Sequence, residues 1–199
     1  MEQQEQSGVL AVDTVAPNFR LASAQGHDIA HEDYRGRRNV LLWFSKGLFC
    51  PFCRRYMTQL RLNYNEFQEH NTEILQVTYS TPEEAHLYFR QYQFSFPYLC
   101  DPERAVFTLY GIRIMRKGVG QIAARAAGSM VAAMSDRLLR GEKTPSPLPY
   151  MKRYGQTDMD QEAVFLIDKA GLIRYVHTTG ASGALPSNAE YLRQLDKLQ

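Results

Sequence analysis

This 199-residue chain predicts an α/β fold, a mixed central β-sheet flanked by helices. Three observations carry that prediction. Segments of strand length, the apolar run 40–44 and the buried strand expected over 74–79, alternate with segments of helical period. Such alternation builds parallel strands with covering helices. Late in the chain, residues 163–167 and 172–176 flank a turn over 168–171 that ends in Gly171, which predicts an antiparallel hairpin in the same sheet.

The elements follow in order. Residues 1–8 are polar and rich in Gln and Glu; they lack the character of a signal peptide and are expected to be flexible. Ala16-Pro17-Asn18-Phe19-Arg20-Leu21 begins an extended segment, and Gln25-Gly26-His27-Asp28 turns into a short second strand. After the polar loop 33–39, the run 40–44 does not alternate and is expected to be buried on both faces. From Phe52 the period changes. Phe52, Tyr56, Leu60 and Tyr64 recur every four residues and Phe67 follows three later, which is one face of a helix ending near His70-Asn71. After strand 74–79, Thr81-Pro82-Glu83-Glu84 carries a capping box around a Pro at the first helical position. That helix must stop before Phe96-Pro97. Residues 98–100 form a short strand, and Asp101-Pro102 caps a helix that ends at Tyr110-Gly111.

The rhythm breaks over about 112–160. Residues 121–140 predict an Ala-rich helix, with Ile122, Ala126, Met130, Met134 and Leu138 spaced by four, and 144–149 a Pro-rich loop. The Met and Ala stripe suits packing or an oligomer contact, so a homodimer is an open outcome. Ser187 and Glu190 form a capping box for a last helix with Tyr191, Leu192, Leu195 and Leu198 on its core face. The order is that of a thioredoxin-like fold. It makes one domain over 9–199, with an N-terminal β extension and a helical insertion at about 112–160.

Composition narrows the function classes. Apolar residues make up 44% and charged residues 22%, ordinary for a chain that buries a core. The net charge of +2, from 23 basic and 21 acidic residues, gives no electrostatic case for nucleic acid or a membrane surface. Three cysteines are an odd number for a secreted disulfide scaffold, which points to a reducing compartment, the cytoplasm by default.

The chemistry centres on Cys50-Pro51-Phe52-Cys53, at the junction of strand and helix. Cys50 falls at the helix N-cap or first position, and Pro51 suits the first turn, where its missing N–H has no partner to lose. A sulfur there meets free backbone N–H groups and the positive end of the helix dipole. Lys46, Arg54 and Arg55 are close in sequence. All favour the thiolate, and in such settings a thiol pKa falls from about 8.5 to roughly 3.5–7.5. Cys53 lies one turn on along the same face. Cys50 is therefore the expected attacking sulfur and Cys53 the resolving one. Two blander readings stand beside this, an inert buried pair and half of a zinc site. A zinc site needs two more ligands, and Cys100 and the five histidines offer no suitable pairing, so no metal or cofactor is expected. Cys100 itself reads as a core residue, and His177 as a surface or hydrogen-bonded one.

The segment Phe44-Ser45-Lys46-Gly47-Leu48-Phe49-Cys50-Pro51-Phe52-Cys53-Arg54 resembles the active-site segment of the alkyl hydroperoxide reductase C/thiol-specific antioxidant family, in its peroxiredoxin-like branch. Ala16-Pro17-Asn18-Phe19, Asp101-Pro102 with Tyr110-Gly111, and residues 158–168 with Gly171 resemble flanking motifs of that family in the same order. The resemblance implies a thioredoxin-like fold, a peroxidatic Cys50, and reduction of hydroperoxides with electrons from a thioredoxin-, glutaredoxin- or glutathione-type donor. The chain departs from the pattern at two places. Gly47 stands where Thr or Ser is usual, and Gln161-Glu162 where a late strand brings an Arg. Those side chains would polarise the peroxide, and Lys46 or Arg54 are the candidate substitutes for the Arg. Glu162 also stands near the place of a cis-Pro in thioredoxins and glutaredoxins. Three functions are weighed: a thiol peroxidase, a reductase of protein or mixed disulfides, and a non-enzymatic redox sensor.

Overall fold

A computed structural model of the chain describes residues 8–48, 50–90, 95–112, 114–116, 131, 158–179 and 185–198. The expected insertion helix and Pro-rich loop lie outside the described residues, Val131 apart, as do residues 1–7. In chain order the strands are β1 (Arg20–Ser23), β2 (Asp28–Ala30), β3 (Asn39–Ser45), β4 (Thr72–Thr78), β5 (Tyr98–Cys100), β6 (Ile114–Arg116), β7 (Asp158–Asp160), β8 (Ala163–Ile167) and β9 (Ile173–Thr178). The helices are α1 (Pro51–Leu62), α2 (Tyr64–Glu69), α3 (Pro82–Phe89), α4 (Ala105–Leu109) and α5 (Asn188–Asp196).

Strand β3 is buried along its whole length. Its side chains alternate between two cores, Leu41 and Trp43 into one, Val40, Leu42 and Phe44 into the other. Each such side chain contributes about 1.5–3 kcal/mol relative to an exposed position. β3 pairs in parallel with β4 and antiparallel with β8, β4 in parallel with β5, and the late hairpin β8–β9 is antiparallel as expected. The N-terminal hairpin β1–β2 adds antiparallel to β5. The result is a mixed seven-stranded sheet in the order β2-β1-β5-β4-β3-β8-β9. Side chains of α1, α2, α3 and α5 fill the first core, and those of α4 with Ala16 and Phe19 fill the second. The sheet is thus covered on both faces, as the alternation of elements predicts.

Four local details differ from the sequence reading. The helix expected from Phe52 to His70 is interrupted at Asn63, which ends α1 and begins α2. Its side chain bonds the Glu66 carboxylate at 2.6 Å, and Asn188 reaches both Asn63 Oδ1 and the Gln59 carbonyl. At Asn63 the backbone leaves the helical region, with φ −99° and ψ 10°, and Asn is among the residues that favour such breaks. Helix α4 starts at Ala105, later than Asp101-Pro102 implies, because Arg104 takes a left-handed φ of 59° before it. Asp101 still caps it, accepting the N–H groups of Ala105, Val106 and Phe107 at 3.0, 2.9 and 3.2 Å. At α5, Ser187 accepts the Glu190 N–H, whereas the Glu190 carboxylate pairs with Gln194 and Arg193. The fourth detail is the antiparallel ribbon β6–β7, separate from the main sheet. It holds together the two ends of the chain that enclose residues 117–157.

The Asp101 cap gives a stability prediction. Asp101→Ala removes three bonds from a helix start inside the second core and is expected to destabilise the protein by about 1–2 kcal/mol. Urea unfolding should show a lower midpoint at unchanged slope.

Candidate active site

Where β3 ends, the chain turns through Lys46, Gly47 and Leu48 before α1 begins. Gly47 holds a left-handed φ of 87°, and its carbonyl accepts the Cys50 N–H at 3.2 Å. A side chain at this position would begin 2.7 Å from Ser80 Oγ. That hydroxyl is itself bonded to the buried Tyr98 hydroxyl at 3.0 Å. Gly47 is therefore required twice, by backbone conformation and by space, which is the physical reason no Thr or Ser stands there.

Cys50 is the N-cap of α1, with extended backbone, and Pro51 takes the first helical position. The Cys50 sulfur accepts the Cys53 N–H at 3.3 Å, so a thiol does here what a Ser or Asp oxygen does at most helix starts. Cys50 is 5% exposed and Cys53 fully buried. Both cysteines are free thiols.

Glu162, just before β8, completes the group. Its backbone is fixed by Thr179, which accepts the Glu162 N–H on its hydroxyl at 3.0 Å and donates its own N–H to the Glu162 carbonyl at 2.8 Å. The Cys53 thiol donates to Glu162 Oε1 at 3.0 Å, and Lys46 Nζ lies 3.9 Å from Glu162 Oε2, with both side chains buried. The Cys50 and Cys53 sulfurs and a Glu162 oxygen all lie within 4.8 Å of one another. They form a cluster one donor short of a closed zinc site, and the neighbouring group is an ammonium, which is no ligand.

The two sulfurs are pushed apart in acidity. Burial raises the Cys50 pKa and Glu162 adds to that. The Cys53 thiol, the Lys46 ammonium and the Cys53 N–H outweigh both, so the net shift is downward. Cys53 is driven well above the ordinary thiol range, first by burial, then by its bond to Cys50 and the charges of Cys50 and Glu162. One sulfur is poised as a nucleophile and the other holds its proton.

Of the residues picked from sequence, the structure brings Cys50, Cys53 and Lys46 together, with Gly47 and Pro51 shaping the turn. Arg54 is buried in the first turn of α1, where its N–H donates to the Cys50 carbonyl at 3.1 Å. Cys100 is buried, and burial with Glu83 and Glu84 pushes its pKa up to about 12, so it stays a thiol within the core. His177 lies inside β9. Sequence reasoning noted Glu162 only as a mismatch and missed Ser80 and Tyr98. The one signal for Glu162 was an acidic residue directly before a wholly apolar strand.

Fold and site together define a thioredoxin-like chain with a dithiol at a helix start. The model of the AhpC/TSA family matches residues 12–176, and the chain belongs to that family. It is 31% identical over 113 residues to alkyl hydroperoxide reductase E of Mycobacterium tuberculosis, covering 56% of this chain and 74% of that protein. It is 29% identical over 130 residues to the thiol-disulfide oxidoreductase ResA of Halalkalibacterium halodurans, covering 62% and 73%. Two further Mycobacterium tuberculosis relatives, whose names class them among the peroxiredoxins, are 31% identical over 96 residues, 48% of this chain, and the chain spans 60% of their length. Among solved structures, reduced 2-Cys peroxiredoxin of Plasmodium vivax superposes with a TM-score of 0.64 at 17% identity, over 94% of each chain. Peroxidoxin BcpB of Mycobacterium tuberculosis does so with a TM-score of 0.63 at 15% identity, over 94% of this chain and 97% of that one. At those identities the likeness is one of fold, and it matches the mixed sheet expected from the sequence.

The site yields two predictions. Alkylation of Cys50 by iodoacetamide, followed by peptide mass, should show a midpoint below the free-cysteine value of about 8.5. Lys46→Met removes a cation that favours the thiolate, so it should move that midpoint upward; no movement would mean Lys46 does not act on Cys50. Gly47→Ala should cost about 1–2 kcal/mol for the left-handed backbone alone, with an added loss from displacing Ser80, read as a lower thermal midpoint.

Proposed function

We propose that this protein is a thiol-dependent oxidoreductase that reduces hydroperoxides through Cys50. The thiolate attacks one oxygen of the O–O bond. The other oxygen leaves as the alcohol or water after taking a proton, and Cys50 becomes a sulfenic acid. Cys53 then condenses with it, releasing water and leaving the Cys50–Cys53 disulfide. A thioredoxin-, glutaredoxin- or glutathione-type donor returns two electrons and restores the dithiol. The observation that carries this reading is the N-cap sulfur of lowered pKa with a second, protonated sulfur close behind it. The 5% exposure of Cys50 favours a slender oxidant over a bulky one. The likeness to alkyl hydroperoxide reductase E supports the same reading. Lys46, beside Glu162, is a cation within the site. A cytoplasmic location belongs to this proposal, since the cycle needs a reducing partner pool.

A second reading, reduction of small disulfides, is favoured by one observation. Glu162 puts a carboxylate beside the dithiol where the family pattern would bring a cation. The likeness to ResA points the same way.

Stopped-flow mixing with hydrogen peroxide and an alkyl hydroperoxide tests the proposal. Cys50 is expected to be oxidised at least about a hundredfold faster than free cysteine, a gain of roughly 2.7 kcal/mol in the barrier, and Cys50→Ser should abolish it. Intact mass should show loss of two hydrogens in the wild type and gain of one oxygen in Cys53→Ser. Oxidation no faster than free cysteine sinks the peroxidase reading. Rapid Cys50-dependent reduction of glutathione mixed disulfides would then favour the second, and the absence of both would leave a slow redox sensor.

A further inference from the structure

The resolving sulfur poses a problem that the attacking sulfur does not. Cys53 is fully buried and can become a nucleophile only by losing a proton in a place where water does not reach it. We propose that Glu162 is the catalytic base for Cys53, with Lys46 holding its carboxylate in place and balancing its charge. This rests on the reading that Cys50 and Cys53 close a disulfide, but not on peroxide being the oxidant.

The geometry is specific. Glu162 Oε1 is 3.0 Å from the Cys53 sulfur, already in hydrogen-bond contact with the proton to be moved. The second oxygen faces Lys46 Nζ at 3.9 Å. Two backbone bonds to Thr179 fix the residue that carries the carboxylate, so little motion precedes the transfer. A buried carboxylate beside a thiol is costly to hold unless it is paired, and Lys46 supplies the pairing.

The step balances. With Cys50 in a mixed disulfide, the Cys53 proton passes to Glu162 as the Cys53 sulfur attacks the Cys50 sulfur. The Cys50–Cys53 bond forms, the bond from Cys50 to the outer sulfur breaks, and the outer group leaves as a thiolate. Glu162 then gives the proton to that leaving group and returns to carboxylate. With Cys50 as sulfenic acid the same transfer delivers the proton to the departing hydroxide, which leaves as water. The raised pKa of Cys53 makes the base necessary, since the free thiolate would otherwise be scarce at neutral pH. Among the described residues, titratable groups that act on this pair include Cys50 at the N-cap of α1, Tyr56 on α1, Lys46 after β3, Tyr98 on β5 and Tyr191 on α5. Burial drives all three tyrosines upward, so none of them supplies an anion at neutral pH.

The test uses the full chain, reduced, and a dipyridyl disulfide in stopped flow. Attack by Cys50 releases one thiopyridone, and attack by Cys53 on the mixed disulfide releases a second. In the wild type the second phase should change by less than about threefold between pH 6 and 9, since the base does not depend on hydroxide. In Glu162→Gln it should be at least about tenfold slower at pH 7 and climb about tenfold per pH unit. The first phase should not slow, because removing an anion near Cys50 favours its thiolate. Glu162→Asp should recover part of the loss. A Gln variant whose second phase matches the wild type in rate and pH profile overturns the proposal. Should that variant fail to fold, the wild-type profile decides alone, and a tenfold climb per pH unit overturns it. Release of only one thiopyridone by the wild type overturns the disulfide-closing cycle as well. Failure with peroxide while both phases persist leaves this inference standing.

Discussion

Because β8 runs antiparallel to β3, with Phe44 opposite Ala163, the end of one strand meets the start of the other. The residues that continue β3 are Lys46, Gly47 and, a turn later, Cys50. The residue that precedes β8 is Glu162. Register alone therefore delivers a carboxylate from 109 positions down the chain to hydrogen-bond distance of Cys53. A slip of one residue would turn the whole apolar set of β8 to the wrong faces. Val164 and Leu166 fill one core, and Ala163, Phe165 and Ile167 the other, so that slip would put each set into a space shaped for the other. The cores are in this sense what positions the chemistry.

The electrostatics at that junction divide the labour between two like atoms. Both sulfurs are buried, and burial alone would raise both pKa values. What separates them is that hydrogen bonds run toward Cys50. Its sulfur accepts from the Cys53 N–H at the helix start, while the Cys53 sulfur sits between Cys50 and a carboxylate. The Cys53 thiol and Lys46, with the helix-start N–H adding less, thus select the nucleophile, and Glu162 holds the other sulfur as a donor. The buried Lys46–Glu162 pair gives little net stability by itself, since desolvating two charges offsets their attraction.

Most of the scaffold was legible because it rests on local patterns. The apolar runs located β3 and β8, the largely apolar stretch 74–79 located β4, and the Thr81 and Ser187 caps located α3 and α5. The dithiol was legible because Cys-x-x-Cys after an apolar run has few other uses. What escaped were features that depend on distant residues. Asn63 breaks a helix that its own periodicity would continue, and its side chain and the Gln59 carbonyl are both bonded by Asn188, far along the chain. The three-residue strands β6 and β7 carry too little period to be seen. Gly47 read as the loss of a family side chain, when the hydroxyl of Ser80 already occupies the space.

Glu162 also bears on which oxidant suits the site. Cleaving an O–O bond puts negative charge on the departing oxygen, and an ionised carboxylate nearby opposes it. Two unit charges about 4 Å apart interact by roughly 4 kcal/mol at the effective dielectric of a protein surface. Lys46, 3.9 Å from that carboxylate, offsets the opposition without cancelling it at every point in the pocket. Disulfide cleavage is less exposed to this penalty, because sulfur spreads its charge over a larger atom and the leaving thiolate can depart into water. In the resolving step the sign reverses, since a carboxylate that takes the Cys53 proton no longer repels anything. The residue that weakens the site for the first half of a peroxidase cycle is then the one that favours the second half, and the balance between the two halves decides whether peroxide or disulfide is reduced faster.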